Sequence, residues 1–161
     1  MTAPSPILIA DDGSPASQRA VRHAASLMPG HRAIVAVART AQESVAAHLE
    51  GHDAVAHDPD DATERTAGEG VRIARAAGLD AEALIAGGDG PVAHTLLSAA
   101  ERAGAGLIVM GSRGRHAMRS AAHGSVSRHV VQDGRLPTLV VPSPRPHAPH
   151  EGTSRRAAAA A

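Results

Sequence analysis

The sequence predicts an α/β fold in which an open sheet of five parallel strands carries helices on both faces. Two observations lead to this prediction. Short runs of apolar residues recur along the chain, and segments with apolar residues at helical spacing lie between them. Uninterrupted apolar runs are typical of strands that are buried on both faces. Strands that alternate with helices form parallel sheets, because each connection crosses back over the sheet.

The individual elements have recognisable starts and stops. The first strand, ILIA, ends at the turn Asp-Asp-Gly, and Ser14 before Pro15 is a typical N-cap followed by the first residue of a helix. Residues 40–61 have little pattern, and Gly68 and Gly70 weaken the helical pattern that follows. The predicted elements are a strand over 7–10, a helix from Pro15 to Gly30, a strand over 33–38, a helix from about 61 to 77, a strand over 81–86, a helix from Pro91 to Gly104, a strand over 107–110, a helix after Gly124 and a strand over 138–141.

The length and the ends of the chain suggest its organisation. A chain of 161 residues suits one domain, which we expect over residues 1–143. Residues 144–161 are rich in Pro, Arg and Ala, so we expect a disordered tail there. The sequence has no secretion signal and no apolar run long enough to span a membrane. We therefore expect a cytoplasmic protein that does not enter the membrane.

The composition excludes several kinds of chemistry. Cys, Lys, Asn, Tyr, Trp and Phe are absent. Without Cys there is no thiol nucleophile, and without Lys there is neither a Schiff base nor a P-loop. Without aromatic residues there is no stacking platform for single-stranded nucleic acid. The 16 basic residues balance 16 acidic ones, which also argues against a nucleic-acid partner.

The segment from Gly111 to Ser127 has the character of a phosphate-binding loop. It follows a predicted strand, precedes a predicted helix and contains glycines and serines but no acidic residue. Glycine lets the backbone approach a ligand closely and adopt positive φ, and a helix N-terminus offers free N–H groups to phosphate. Arg113 and Arg115 would add positive potential at the phosphate side. In a parallel sheet this segment and the Asp-Asp-Gly turn both lie at the carboxyl edge, where ligands bind.

The spacing Gly111-x2-Gly114-x9-Gly124-Ser125 resembles the nucleotide-binding pattern of the universal stress protein family. The stretches LIVMGSRGR, GSVSRHVV, LPTLVVP and ILIADDGSPAS are also similar to that family, and the resemblance covers roughly residues 5–143. It implies a Rossmann-like sheet of the adenine nucleotide alpha hydrolase type with strand order 3-2-1-4-5. It also implies that the chain binds ATP, with Mg²⁺ where needed, and pairs with a second copy through the last strand, Leu136 to Pro142.

The resemblance also assigns the nucleotide-binding residues. It places Asp12 at the ribose, Ala10 beside the adenine and the main chain of Val37 at the adenine edge. It places Gly111 near the ribose and phosphates. The residues that it places around the phosphates are Gly114, Gly124, Ser125, Val126 and Ser127.

Two departures from the family pattern concern the same site. Asp11 stands where the family usually has an apolar residue, and its carboxylate would repel phosphates if it faced them. The segment HAMRSAAH, which precedes Gly124, lacks the leucines that are common there. Adjacent residues of a strand point to opposite faces, so Asp11 and Asp12 are not expected to act as a catalytic pair.

Other patterns have simpler interpretations. GDGPVA, from Gly88 to Ala93, fits a dinucleotide-binding pattern, but the next strand lacks the acid that would confirm it, so we expect only a turn and a helix start. His48, His52 and His57, like His147 and His150, are expected in solvated segments without a metal. His123, just before Gly124, is expected to be solvated as well.

Three functional hypotheses remain. The first is an ATP-binding signalling protein with an unidentified protein partner, no catalytic residue and at most slow hydrolysis, because no general base accompanies the loop. The second is an interaction module of the same fold that has lost its nucleotide. The third is an ATP-consuming enzyme of related fold, whose characteristic loops are absent from this sequence.

Overall fold

The structure is a computed structural model, which describes residues 4–39, 59–88, 90–114 and 124–143. The strands are β1 (Ile7–Ala10), β2 (Arg32–Ala38), β3 (Asp80–Ala86), β4 (Leu107–Gly111) and β5 (Thr138–Val141). The helices are α1 (Pro15–Leu27), α2 (Pro59–Ala76), α3 (Val92–Arg102) and α4 (Ser125–Asp133). The predicted elements are therefore confirmed, with ends that shift by one to three residues.

The five strands form one parallel sheet in the order β3-β2-β1-β4-β5. This confirms the predicted fold class and strand order. β1 is central: Ile7 lies opposite Ala33 of β2 and opposite Leu107 of β4. The chain builds β2 and β3 on one side of β1 and then crosses to β4 on the other. The carboxyl ends of β1 and β4 therefore meet at the point where the strand order reverses, which is where open α/β sheets bind ligands.

The sheet separates two aliphatic cores. Alternate residues of β1 enter opposite cores, with Ile7 and Ile9 on the α1 and α2 side and Leu8 and Ala10 on the α3 and α4 side. Residues such as Leu8 and Ile9 are completely buried, and each such side chain contributes about 1.5–3 kcal/mol of stability. The strands need no aromatic residue, because small side chains on both faces let the helices pack closely.

Several predictions fall outside the described residues. They concern His48, His52 and His57, Arg115 and His123, and the tail over 144–161. Within the described part of the chain, no helix is long and apolar enough to cross a membrane.

Candidate functional site

The site lies where β1 and β4 end side by side. Ala10, the buried last residue of β1, lies opposite Met110 of β4. Asp12 follows β1, and Gly114 follows β4 by three residues. A Cβ atom built on Gly114 would lie 2.6 Å from Asp12 Oδ2. The structure therefore brings together the Asp-Asp-Gly turn and the glycine-rich segment, as the sequence predicts.

The glycines of this segment are required by close contacts. A Cβ on Gly111 would lie 2.9 Å from the carbonyl carbon of Ala16 at the start of α1. A Cβ on Gly124 would lie 3.1 Å from the carbonyl oxygen of Ser112. We expected some of these glycines to use positive φ, but the described glycines with positive φ lie elsewhere, at Gly13, Gly30, Gly78 and Gly104. Space, and not backbone conformation, therefore explains the glycines of the candidate site.

Ser112 holds the two ends of the β4–α4 connection together. Its N–H donates to Val141 C=O at 2.8 Å, and its C=O accepts from Gly124 N–H at 2.7 Å. Its Oγ accepts from Ser143 N–H at 3.1 Å. The side chain is only 5% exposed. The sequence analysis missed this residue, because a serine between two loop glycines gives no sign that it joins three segments.

The N-terminus of α4 provides the phosphate-binding geometry. Its N-cap, Gly124, has β-region φ and ψ and makes no side-chain capping hydrogen bond. The first N–H groups of a helix have no acceptor within the helix, and they carry partial positive charge. Ser125 is exposed at this end, and Val126 is half-buried against the core under α3 and α4. This helix end can therefore offer main-chain donors to an anion.

Ser127 has a different role from the one expected for its hydroxyl. The residue is buried, and its Oγ donates to Gly124 C=O at 3.0 Å and to Ser112 C=O at 3.4 Å. The hydroxyl thus closes the helix start onto the loop. A ligand contact at Ser127 would use the main-chain N–H.

Asp11 and Asp12 point to opposite faces of the sheet, as the sequence predicts. Asp11 is 4% exposed, and its Oδ1 accepts from Gly13 N–H at 2.9 Å and from Ser17 Oγ at 2.5 Å. Its carboxylate therefore lies on the α1 and α2 side, and does not face the glycine-rich segment. Asp12 is half-exposed on the other side, where its Oδ1 accepts from Ser14 N–H at 3.0 Å.

The end of β2 corrects one predicted contact. The resemblance places the adenine edge at the main chain of Val37, but successive residues of a strand turn their N–H and C=O groups toward opposite neighbours. Ala36 C=O accepts from Asp11 N–H at 2.9 Å, toward β1. Arg39 N–H donates to Ala86 C=O at 2.9 Å, toward β3. The main chain of Val37 therefore also faces β3 and is not directed to the site.

The main chain of Ala38 faces the site instead. By the same alternation its N–H and C=O point to the β1 side, but β1 ends at Ala10. Gly13 N–H, which would continue the hydrogen bonding toward Ala38, donates to Asp11 Oδ1 instead. The two groups of Ala38 thus lie beyond the last β1–β2 hydrogen bond. Sequence reasoning missed Ala38 because a shift of one residue at a strand end reverses which neighbour the backbone faces.

The remaining predicted residues lie near these groups. Arg113 is half-buried beside Ser112, and Arg115 is outside the described residues. Within the described ranges, no group of three or more His, Asp or Glu side chains is arranged to hold a metal ion. The candidate site is thus built mainly from main-chain donors, with Asp12 as its carboxylate.

Comparisons with known proteins agree with this geometry. The family model of the universal stress protein family matches residues 5–142. Universal stress protein YxiE of Bacillus subtilis strain 168 is 32% identical over 145 residues, which cover 84% of this chain and 97% of YxiE. The solved structure of the hypothetical protein MJ0577 is similar with a TM-score of 0.72 and 21% identity, over 90% of this chain and all of that one.

A second solved structure is a universal stress protein in complex with cAMP. It is 25% identical, with a TM-score of 0.61, and the match covers 87% of this chain and 98% of that chain. The match of the family model over most of the chain, together with the identity to YxiE, decides the relationship. This chain belongs to the universal stress protein family.

Proposed function

We propose that this chain is an ATP-binding protein that acts in stress signalling through nucleotide-dependent contact with a protein partner. The observation that carries the proposal is the uncapped N-terminus of α4 beside Gly111, Gly114 and Asp12. The complex of a related universal stress protein with cAMP supports an adenine nucleotide as the ligand.

Each part of the nucleotide has a partner in this proposal. The N–H groups at the start of α4 bind the phosphates, and Asp12 accepts hydrogen bonds from the ribose hydroxyls. The main chain of Ala38 takes the adenine edge, where an N–H and a C=O side by side match the acceptor and donor of adenine. Mg²⁺ would neutralise part of the phosphate charge, which the described residues balance only with Arg113 and helix N–H groups.

We further propose that the chain binds ATP without turning it over at an enzymatic rate. Asp11, the one buried carboxylate near the site, already accepts two hydrogen bonds on the far side of the sheet. Asp12 already accepts from Ser14 N–H and lies against Gly114. We expect phosphate release from saturated protein to be far slower than about 1 per second, the low end of ordinary enzymes. A cytoplasmic location agrees with such a role.

The direct test is mass spectrometry of the denatured purified protein, followed by calorimetry with ATP, cAMP and GTP. We expect ATP to co-purify or to bind, and GTP to bind at least about tenfold more weakly, because its base presents the reverse hydrogen-bonding edge to Ala38. Absence of binding by every adenine nucleotide would instead favour the nucleotide-free interaction module. Phosphate release in the enzymatic range would move the protein to the ATP-consuming class.

A homodimer through β5 is the second part of the proposal. β5 lies at an edge of the sheet, and an apolar edge strand needs a partner. The two large hydrophobic residues that are exposed among the described ones, Leu27 at 64% and Val131 at 55%, lie on α1 and α4, helices that both contact β5. Pro137 and Pro142 limit pairing to a short central stretch, as one antiparallel contact around a two-fold axis requires.

Sedimentation of charged variants tests the dimer. Leu139 is half-buried in the groove between β5 and α1, so Leu139→Asp should yield folded monomers. Val141 is only 5% exposed in the core, which makes Val141→Asp a less informative variant. Ala83→Asp is the matched control, because Ala83 is exposed on β3 at the opposite edge. A wild-type chain that is monomeric at high micromolar concentration would contradict the proposal.

A further inference from the structure

The Asp11 carboxylate joins the end of β1 to the first turn of α1. Its Oδ1 accepts from Gly13 N–H and from Ser17 Oγ, and Ser17 Oγ also lies 2.9 Å from Ser14 C=O. The N–H of Asp11 makes the last β1–β2 hydrogen bond, to Ala36 C=O. Asp11 thus fixes the turn from within the protein, on the face opposite to Asp12.

Helix α2 packs directly on this carboxylate at Gly70. A Cβ on Gly70 would collide with Asp11 Oδ2 and would lie 2.8 Å from Val35 Cγ1. Gly70 is buried in the interior of the helix, where glycine is normally less favourable than alanine. Gly68, two residues earlier, is exposed and would have no atom within 4 Å of an added Cβ. Close approach to Asp11 and Val35 therefore explains the glycine at 70.

We propose that Asp11 is a positioning residue for the nucleotide site and that α2 acts on the site through Gly70. This inference rests on the proposed function. Asp11 holds Gly13, the next residue but one, and the N–H of Ser14 in turn holds Asp12 Oδ1 at 3.0 Å. A displacement of Asp11 by α2 therefore moves the turn that aims Asp12 at the ligand. A change on one face of the sheet reaches a site on the other face through two adjacent residues.

The test compares alanine at the two glycines of α2. Gly70→Ala should weaken ATP binding by about tenfold, an effect within the usual range of coupling between sites. Gly68→Ala, the matched control, should leave ATP affinity within about twofold, since alanine there meets only solvent. The measurement is calorimetry on folded protein, well below the melting temperature of each variant.

Variants of Asp11 separate positioning from charge. The amide oxygen of Asp11→Asn can accept the same two hydrogen bonds, so ATP affinity should stay within about twofold of wild type. Asp11→Ala removes both hydrogen bonds and should weaken ATP binding by about tenfold. A loss in Asp11→Asn as large as in Asp11→Ala would show that the charge matters and would overturn the positioning role.

A readout without ligand distinguishes failure of this inference from failure of the proposed function. Amide hydrogen exchange at Gly13 and Ser14 in the nucleotide-free chain should be faster in Gly70→Ala and unchanged in Gly68→Ala. If wild type binds no ATP, the proposed function fails, while the exchange comparison still tests the link between α2 and the turn. Unchanged exchange at both amides in folded Gly70→Ala would overturn the link. If Gly70→Ala does not fold, Asp11→Ala and Asp11→Asn decide by the same exchange measurement.

Discussion

The two turns that form the candidate site, β1 to α1 and β4 to α4, solve the same structural problem in opposite ways. In the first turn, side chains satisfy the backbone: Asp11 accepts from Gly13 N–H, Asp12 from Ser14 N–H and Ser14 Oγ from Ser17 N–H at 3.2 Å. In the second turn, main-chain groups hold the connection, and the N-cap Gly124 provides no side-chain acceptor.

This difference indicates which helix end is suited to bind an anion. A capped helix has used part of its free donors, whereas an uncapped one keeps them for a ligand. Lack of a cap is insufficient by itself, because α3 also begins at an N-cap, Pro91, without a side-chain hydrogen bond. Around α4 the glycines also bring the main chain within contact distance of Ser112 and Asp12. The predicted turn and helix start at Gly88–Ala93 is thus confirmed.

The largest effect is expected from closing the open turn. Gly124→Val would place its side chain against Ser112 C=O, and Gly114→Val would push into Asp12 Oδ2. Each variant should weaken ATP binding at least about a hundredfold, or about 2.7 kcal/mol, with the fold retained. Calorimetry measures the affinity, and circular dichroism checks the fold.

The control for this prediction is a glycine at the same edge of the sheet. Gly87 follows β3, and a Cβ there would have no atom within 4 Å. Gly87→Val should therefore bind ATP like the wild type. If a folded Gly114→Val and Gly124→Val double variant bound ATP normally, the β4–α4 turn would not be the phosphate site, and the contrast between the two turns would lose its meaning.

The sequence predicts the fold and the position of the site well, because both depend on local patterns. Apolar runs located the strands, and the glycine spacing located the phosphate side. What the sequence could not provide are contacts between segments distant in the chain. Gly70 is explained only by Asp11, which lies across the sheet from the candidate site, and Ser112 only by its bonds to Val141, Gly124 and Ser143.

The choice between Val37 and Ala38 shows a second kind of limit. Both are small apolar residues at the end of one strand, and nothing in their side chains tells which backbone faces β1. That direction depends on the register with β3 and on where β1 stops. The first hydrogen bonds after Asp11 decide it, and they are not visible in a pattern of residue types.

A smaller effect is expected from the two serines of α4. Ser125 is exposed at the open helix end, whereas Ser127 is buried and bonded to Gly124 C=O. Ser125→Ala should weaken ATP binding by about tenfold at unchanged stability, as for loss of one hydrogen bond to a charged group. Ser127→Ala should lower the free energy of unfolding by about 1 kcal/mol with a smaller effect on affinity. Calorimetry and urea denaturation of both variants measure the two effects, and the reverse pattern would show that the roles are exchanged.

The smallest effect on binding is expected from the closed turn. Ser14→Ala removes the acceptor for Ser17 N–H, which should lower the free energy of unfolding by about 1 kcal/mol. For a chain of this size that corresponds to a melting temperature lower by about 3 °C. ATP affinity should change less than about twofold, because the Ser14 N–H that holds Asp12 remains in place. Ser14→Gly is the control, since glycine at an N-cap costs only a few tenths of a kcal/mol relative to serine. Thermal melts and calorimetry on the same preparations measure both quantities. A Ser14→Ala variant that keeps its stability but binds ATP tenfold more weakly would place the serine hydroxyl on the ligand. The first turn would then be a binding turn like the second, and the α1 N-terminus would share the phosphates with α4.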